Sequence, residues 1–154
     1  MRLHALCFAL MAIVSVGPAV AQDAKVGGLT LAQPWTRATP PGADAAGAYL
    51  VIRNSGQGMD RLVAGSSPVA RAVEIHEMAM VNNVMTMRAL PSGLAIEPGK
   101  EMELKPGSYH VMLIGLKEPL RQGDVIPITL QFQDAGTTTL SFRVEAIGAQ
   151  GPAR

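Results

Sequence analysis

Histidine and methionine side chains are concentrated in one segment of the sequence. After residue 21 the chain has two histidines, His76 and His110, and six of its seven methionines lie in the stretch from His76 to Met112. Methionine is normally a sparse filler of hydrophobic cores, so a cluster of this density points to chemistry. Thioether sulfur is a soft, neutral ligand that selects Cu(I) over zinc, calcium or magnesium, and neutral imidazole adds a stronger nitrogen donor. The cluster therefore indicates a site that holds and releases Cu(I).

A structural explanation of the same residues stays open at this stage. A methionine stripe that repeats every second residue is usually part of a core, and a single His-x-Met pair is a weak signal of metal binding. Met59 and Met102 lie outside the pattern, and we expect both to be packing or surface residues.

The cysteine and histidine counts exclude most other metal and nucleophile chemistry. Cys7 is the single cysteine of the chain, and it precedes residue 21. The remaining chain can form no disulfide, zinc-thiolate site or iron–sulfur cluster, and it lacks the Cys ligand of a blue-copper centre. Two histidines cannot make a three-His zinc site. A net charge of +1 does not suggest a nucleic-acid binder, and no apolar run of membrane-spanning length follows the N-terminus.

The N-terminus has the pattern of a secretory signal peptide. Arg2 supplies the positive charge, residues 5–16 form the apolar region, and Ala19-Val20-Ala21 is a small-x-small cleavage signal. We therefore expect residues 1–21 to be removed on export, and no membrane insertion afterwards. Cys7 lies inside the apolar region rather than at the cleavage point, which argues against a lipid-anchored protein.

Turn residues interrupt the chain about every eight to twelve residues, and this spacing is typical of short β-strands. Such strands would therefore position the histidines and methionines of the cluster. No segment sustains a helical period for three turns. The pattern predicts one all-β domain over residues 22–146, a single antiparallel Greek-key β-sandwich, followed by a flexible tail over residues 147–154. The predicted strands are Leu29–Gln33, Ala46–Arg53, Asp60–Gly65, Ala72–Met80, Val84–Leu90, Gly93–Ile96, Glu101–Leu104, His110–Leu116, Val125–Phe132 and Thr137–Ala146.

Strand geometry would bring the clustered side chains to one face. Residues i and i+2 share a face, so His76 would point the same way as Met78 and Met80, and His110 the same way as Met112. A two-residue turn at Asn82-Asn83 suits a hairpin, because Asn tolerates positive φ. Three short strands could thus aim two imidazoles and several thioethers at one spot. The hairpin register would pair Val81 with Val84, Met80 with Met85, Met78 with Met87, His76 with Ala89 and Glu77 with Arg88.

Residues 26–146 also resemble a known family, the periplasmic copper chaperones called PCu(A)C, formerly a domain of unknown function. The copper motif of that family is a His, ten residues, a Met, a longer gap and then His-x-Met. Here ten residues separate His76 from Met87, and twenty-two more precede His110-Val111-Met112. The segments that carry the resemblance are Trp35–Gly42, Gly47–Asn54, Val73–Met78, Val84–Met87 and Pro106–Leu116.

The resemblance implies a cupredoxin-like fold and a copper carrier in the periplasm. Copper would be delivered toward the CuA centre in subunit II of cytochrome c oxidase, alone or with a Sco-type thiol protein. The C-terminal residues lack His and Met, so a second copper site is not expected. The methionines that the motif leaves over would form a soft rim that guides exchange, or would simply pack; these are Met78, Met80 and Met85. The implied Cu(I) ligands are His76, Met87, His110 and Met112.

Other functions remain as alternatives. A copper-buffering or tolerance protein that never docks on an oxidase would have the same site. A metal-free, immunoglobulin-like adhesion module would have the same fold without the site. An enzyme is not expected, because the sequence has no nucleophile elbow and thioether ligands disfavour a redox-cycling copper centre.

Overall fold

The computed structural model describes residues 23–153, and these residues form eleven β-strands. The predicted signal peptide, residues 1–21, lies outside the described residues. In the described part of the chain no helix is long and apolar enough to cross a membrane. The strands are β1 (Ala24–Val26), β2 (Leu29–Arg37), β3 (Ala45–Asn54), β4 (Asp60–Ser66), β5 (Ala70–Val81), β6 (Val84–Ala89), β7 (Leu94–Ile96), β8 (Glu101–Leu104), β9 (Tyr109–Leu116), β10 (Val125–Phe132) and β11 (Thr137–Glu145).

Seven strands close into a ring in the order β2, β11, β10, β4, β5, β9 and β3, with β3 pairing again with β2. The other strands attach to this ring: β1 to β2, β6 to β5, β7 to β4 and β8 to β3. The predicted all-β fold is confirmed. The pairing of β2 with β11 is parallel, so the prediction of a wholly antiparallel sheet is wrong at this pair. No hairpin joins these two strands, so no turn dictates their relative direction.

The interior of the ring is filled by every second residue of its strands. Ile128 and Leu130 of β10, together with Phe142 and Val144 of β11, have no exposed surface. Burial of an apolar side chain of this size stabilises the fold by about 1.5–3 kcal/mol relative to exposure. The ring is therefore a rigid support for β5 and β9, the two ring strands that carry the histidines.

The N-terminal strands differ from the prediction. The predicted strand Leu29–Gln33 ends just before Pro34, a residue that has no N–H to donate to a sheet. In the structure Gln33 adopts a φ of 52°, and the register with β3 shifts between Ala32 and Trp35. This bulge absorbs the proline, and β2 continues to Arg37. Strand β1 was not predicted, because three residues are too few to show an alternating pattern.

The C-terminal residues after β11 lie against the ring. Arg37 Nε donates a hydrogen bond to the Ala149 carbonyl at 2.6 Å, and the Ala153 N–H donates to Glu145 Oε1 at 3.2 Å. The flexibility predicted for residues 147–154 stays a prediction.

Candidate metal centre

Both histidines lie at the same level of two neighbouring strands. His76 on β5 is directly opposite His110 on β9 in the antiparallel register. Their ring centroids are 5.7 Å apart, and the planes meet at 61° in an edge-on arrangement. Directly opposite residues share a face of the sheet, so the two imidazoles point to the same side.

The β5–β6 hairpin adds the methionines to that face. Asn82 and Asn83 form its turn with φ angles of 50° and 62°, as the sequence predicts. The five predicted pairs are all confirmed: Val81 with Val84, Met80 with Met85, Met78 with Met87, Glu77 with Arg88 and His76 with Ala89. The pair Ala79 with Thr86 completes the ladder.

The methionines of the hairpin form two directly opposed pairs, Met80 with Met85 and Met78 with Met87. A two-residue turn is closed by a hydrogen-bonded pair, and the pairs then alternate, so both methionine pairs are of the closer kind with Cα atoms about 4.5 Å apart. The Met78 N–H agrees with this, because it donates to the Ser108 carbonyl on the β9 side at 3.1 Å.

The other three residues that the family motif implies as ligands are neighbours of His76. His110 is its direct partner, and Met112 lies two residues further along β9, opposite Glu74. Met87 is opposite Met78, which makes it a diagonal neighbour of His76. Diagonal neighbours in a sheet are about 7–8 Å apart, within reach of long side chains. The structure therefore brings all four residues to one face of the β6–β5–β9 sheet.

The exposure of these side chains falls from the hairpin tip to the ring. Met80 is 61% exposed and Met87 is 52% exposed, whereas His110 is 4% exposed. The side chain of His76 is 12% exposed. The most exposed thioethers thus lie at the hairpin end of the face, the two histidines lie nearer the ring, and Met112 lies beyond them, partly buried.

Hydrogen bonds orient both imidazole rings. His110 Nδ1 lies 3.1 Å from the Ser108 carbonyl, and His76 Nε2 lies 2.8 Å from Glu74 Oε2. Among residues 23–153, His76 Nδ1 is the one buried side-chain nitrogen or oxygen without a hydrogen-bond partner. A buried polar atom left unpaired costs free energy unless something else binds it.

Burial lowers the pKa of His110 below its usual value, the Ser108 carbonyl acts against this, and the nearby His76 acts in the same direction as burial. His110 is therefore neutral at pH 7, and neutral imidazole is the form that binds metal ions.

An ion pair on the opposite face supports the hairpin. Arg88 donates from Nε and Nη2 to Glu77 Oε2 at 2.7 and 2.5 Å. The Arg88 guanidinium holds the pKa of the Glu77 carboxyl below its usual range, and the Tyr109 hydroxyl bonded to the same carboxyl lowers it further, against the effect of burial. Glu77 is also opposite Tyr109 in the β5–β9 register, so this cluster joins all three strands beneath the face.

Two features beside the face were missed from the sequence. Glu74 lies two residues before His76, and period-two spacing alone could have placed it there. Gly47 on β3 is opposite Met112, and a Cβ at Gly47 would meet Tyr49 Oη at 2.6 Å. Tyr49 in turn packs on Trp35 with ring centroids 4.6 Å apart. The Tyr49 hydroxyl therefore fills the space beside Met112 that a side chain at position 47 would take.

The hard ligands of the described chain do not make a metal site by themselves. Residues 23–153 contain no group of three or more His, Cys, Asp or Glu that could hold a metal ion. A metal ion on this face would need thioether ligands, which limits the choice to soft ions.

Comparison with known proteins identifies the family. A family model described as "Putative lipoprotein LpqE-like" matches residues 29–144, and PCuAC domains are among the solved structures that the chain resembles. The chain belongs to the PCuAC family. The family predicted from the sequence is thus confirmed.

Two curated relatives extend over most of this PCuAC chain. The "Putative lipoprotein Lxx21020" of Leifsonia xyli subsp. xyli is 34% identical over 118 residues, which cover 77% of the chain and 70% of the relative. Protein RP573 of Rickettsia prowazekii is 30% identical over 115 residues, which cover 73% of the chain and 64% of that protein.

Solved structures of the family include metal-bound forms. The copper-bound PCuAC domain from PmoF2 superposes with a TM-score of 0.70 at 27% identity, covering 81% of this chain and 98% of the domain. The apo PCuAC domain from PmoF1 gives a TM-score of 0.69 at 28% identity, over 81% of this chain and 99% of that domain. CuI-DR1885 from Deinococcus radiodurans gives a TM-score of 0.55 at 27% identity, with 83% of each chain covered.

Proposed function

We propose that this protein is a periplasmic carrier that binds one Cu(I) ion through His76, Met87, His110 and Met112. It would hand the ion toward the CuA centre in subunit II of cytochrome c oxidase, directly or through a Sco-type thiol protein. The proposal includes export after loss of residues 1–21 and a cupredoxin-like classification of the fold.

The convergence of two imidazoles with thioethers on one face is the observation that carries the proposal. Imidazole binds metal ions in its neutral form, so two imidazoles and two thioethers would supply four uncharged ligands. This donor set suits Cu(I) and disfavours zinc, calcium and magnesium. The unpartnered His76 Nδ1 adds support, because a buried nitrogen with a free lone pair suits a metal ion. The copper-bound relatives support the choice of metal.

Delivery rather than permanent storage is supported by the exposure of the sulfur ligands. Met87 is half exposed at the hairpin, so a ligand from a partner can reach the ion while the buried His110 still holds it. Thiolates bind Cu(I) more strongly than thioethers do, so transfer to a thiolate-bearing acceptor is downhill. The protein would act as a carrier and not as an enzyme.

Titration of the exported chain with Cu(I) against a chromogenic chelator tests the proposal. We expect one ion per chain, a lower affinity for His110→Ala and Met87→Ala, and unchanged affinity for Met59→Ala. Met59 is a suitable control because it is 45% exposed and lies between β3 and β4, away from the hairpin. The proposal is wrong if wild type takes up no Cu(I), or if both ligand variants bind as tightly as wild type.

A deletion strain separates delivery from buffering. Loss of copper from the oxidase, with normal growth in added copper, supports delivery. A fully loaded oxidase with copper-sensitive growth would instead support the buffering function.

A further inference from the structure

Glu74 is a half-exposed carboxylate whose partner is a histidine. Its side chain is 48% exposed, and Oε2 lies 2.8 Å from His76 Nε2. Within residues 23–153, no Lys or Arg forms an ion pair with Glu74, in contrast to Glu77, which binds Arg88. Glu74 faces the same side as His76 and is opposite Met112. The carboxylate thus lies inside the ring of side chains around His76.

The acceptors fix which nitrogen of each imidazole carries the proton. Carboxylate oxygens accept hydrogen bonds, so the contact with Glu74 fits the tautomer of His76 that has its hydrogen on Nε2, and the lone pair then lies on the unpartnered Nδ1. A carbonyl can also only accept, so His110 carries its proton on Nδ1 and has its lone pair on Nε2. The two histidines therefore present different nitrogens to an ion between them.

We propose that Glu74 is a positioning residue that makes His76 bind Cu(I) through Nδ1, while His110 binds through Nε2. This inference rests on the proposed function. The Glu74 carboxylate holds the ring of His76 with its buried, unpartnered nitrogen directed away from Glu74. Its negative charge also raises the basicity of that nitrogen, as carboxylate partners of metal-bound histidines do.

The alternative use of His76 Nε2 would break two favourable arrangements. The proton would have to move to Nδ1, where the described chain offers no acceptor. Glu74 would lose its hydrogen bond with the imidazole.

Two substitutions at Glu74 separate orientation from charge. Glu74→Ala removes the acceptor and the charge, and the Cu(I) affinity should fall by about 10- to 100-fold, as for other outer partners of ligating histidines. Glu74→Gln keeps an acceptor oxygen, so the loss should be clearly smaller. Glu103→Ala is a matched control, because Glu103 is 53% exposed and also makes a 2.8 Å contact, with Lys105 on the far side of β3.

Long-range ¹H–¹⁵N spectra of the ¹⁵N-labelled chain show which nitrogen of each imidazole is protonated and which binds copper. A purely structural role of Glu74 would not change this assignment. In wild type with Cu(I), His76 should show a protonated Nε2 and a shifted Nδ1, and His110 the reverse. Copper on His76 Nε2, or equal affinity losses in the Gln and Ala variants, would overturn the inference while leaving Cu(I) binding intact. Absence of Cu(I) uptake by wild type would instead overturn the proposed function.

Discussion

The Asn82-Asn83 turn should control the proposed copper site, although neither residue is one of the proposed ligands. Both residues have positive φ, which costs a residue such as alanine about 1–2 kcal/mol in each case. The double variant Asn82→Ala/Asn83→Ala therefore disfavours the hairpin by about 2–4 kcal/mol, or roughly 30- to 700-fold in its folding equilibrium.

The hairpin has little other support against this cost. All six residues of β6 are exposed, so the strand buries no side chain in the core. The Glu77–Arg88 ion pair remains, but exposed ion pairs are screened by solvent and contribute little to stability. Local opening of β6 removes Met87 from the face and leaves the histidines in place on the ring.

Two measurements on the same samples check this. Amide hydrogen exchange should become fast in β6 alone, and the Cu(I) affinity should fall by at least about tenfold, because affinity scales with the fraction of closed hairpin. Asn82→Gly/Asn83→Gly is the control, since glycine accepts positive φ and should retain both properties. An alanine variant with wild-type Cu(I) affinity and fast exchange in β6 would refute the role of Met87 as a ligand.

Three further predictions concern other parts of the molecule. Met80→Leu keeps the apolar volume but removes an exposed sulfur, so Cu(I) transfer to a chelator in stopped-flow should slow while the equilibrium affinity stays unchanged. Gly47→Ala should displace Tyr49, lower the unfolding free energy by about 1–3 kcal/mol and change the fluorescence of Trp35, the single tryptophan. Burial acts to raise the pKa of Asp60, but N–H groups of Asp134, Arg61 and Ala135 outweigh it, and the pKa lies below its usual value. A carboxyl whose pKa is lowered by folding stabilises the fold above its unfolded-state pKa, and this stabilisation is lost as the pH falls through the folded-state pKa. Urea unfolding should therefore show Asp60→Asn to be less stable than wild type at neutral pH, and the difference should shrink as the pH falls below about 4.

The hairpin could be predicted in detail because its signals are local. Two asparagines that tolerate positive φ set the turn, and the two-residue period then dictates every pair down to His76 and Ala89. The pairing of β5 with β9 is different, since no turn connects these two strands. Many other strands of the chain could pair with either one and bury its apolar side chains equally well. The sequence alone could therefore suggest that His76 and His110 meet, but the register that makes them direct partners had to come from the structure.

The hydrogen-bond acceptors of the two histidines could not be predicted from the sequence. Glu74 shares a face with His76 by simple spacing, yet the same is true of any residue two positions away. What distinguishes it is the absence of a competing cation within the described chain, and that depends on side chains from other strands. Ser108 was equally hidden, because its contribution to His110 is a backbone carbonyl, which any residue type would supply.

The gradient of exposure across the face gives a direction to copper exchange in the proposed carrier. The ion would enter and leave past the methionines of the hairpin, because these are exposed whereas His110 and His76 are largely buried. A partner's thiolate would displace Met87 first, since it is the exposed ligand, and the buried imidazoles last. Each intermediate would keep at least two ligands on the ion, so no step would require a bare Cu(I). Rigid nitrogen donors on β5 and β9 combined with sulfur donors on a marginal hairpin are therefore suited to tight holding and fast release in one small site.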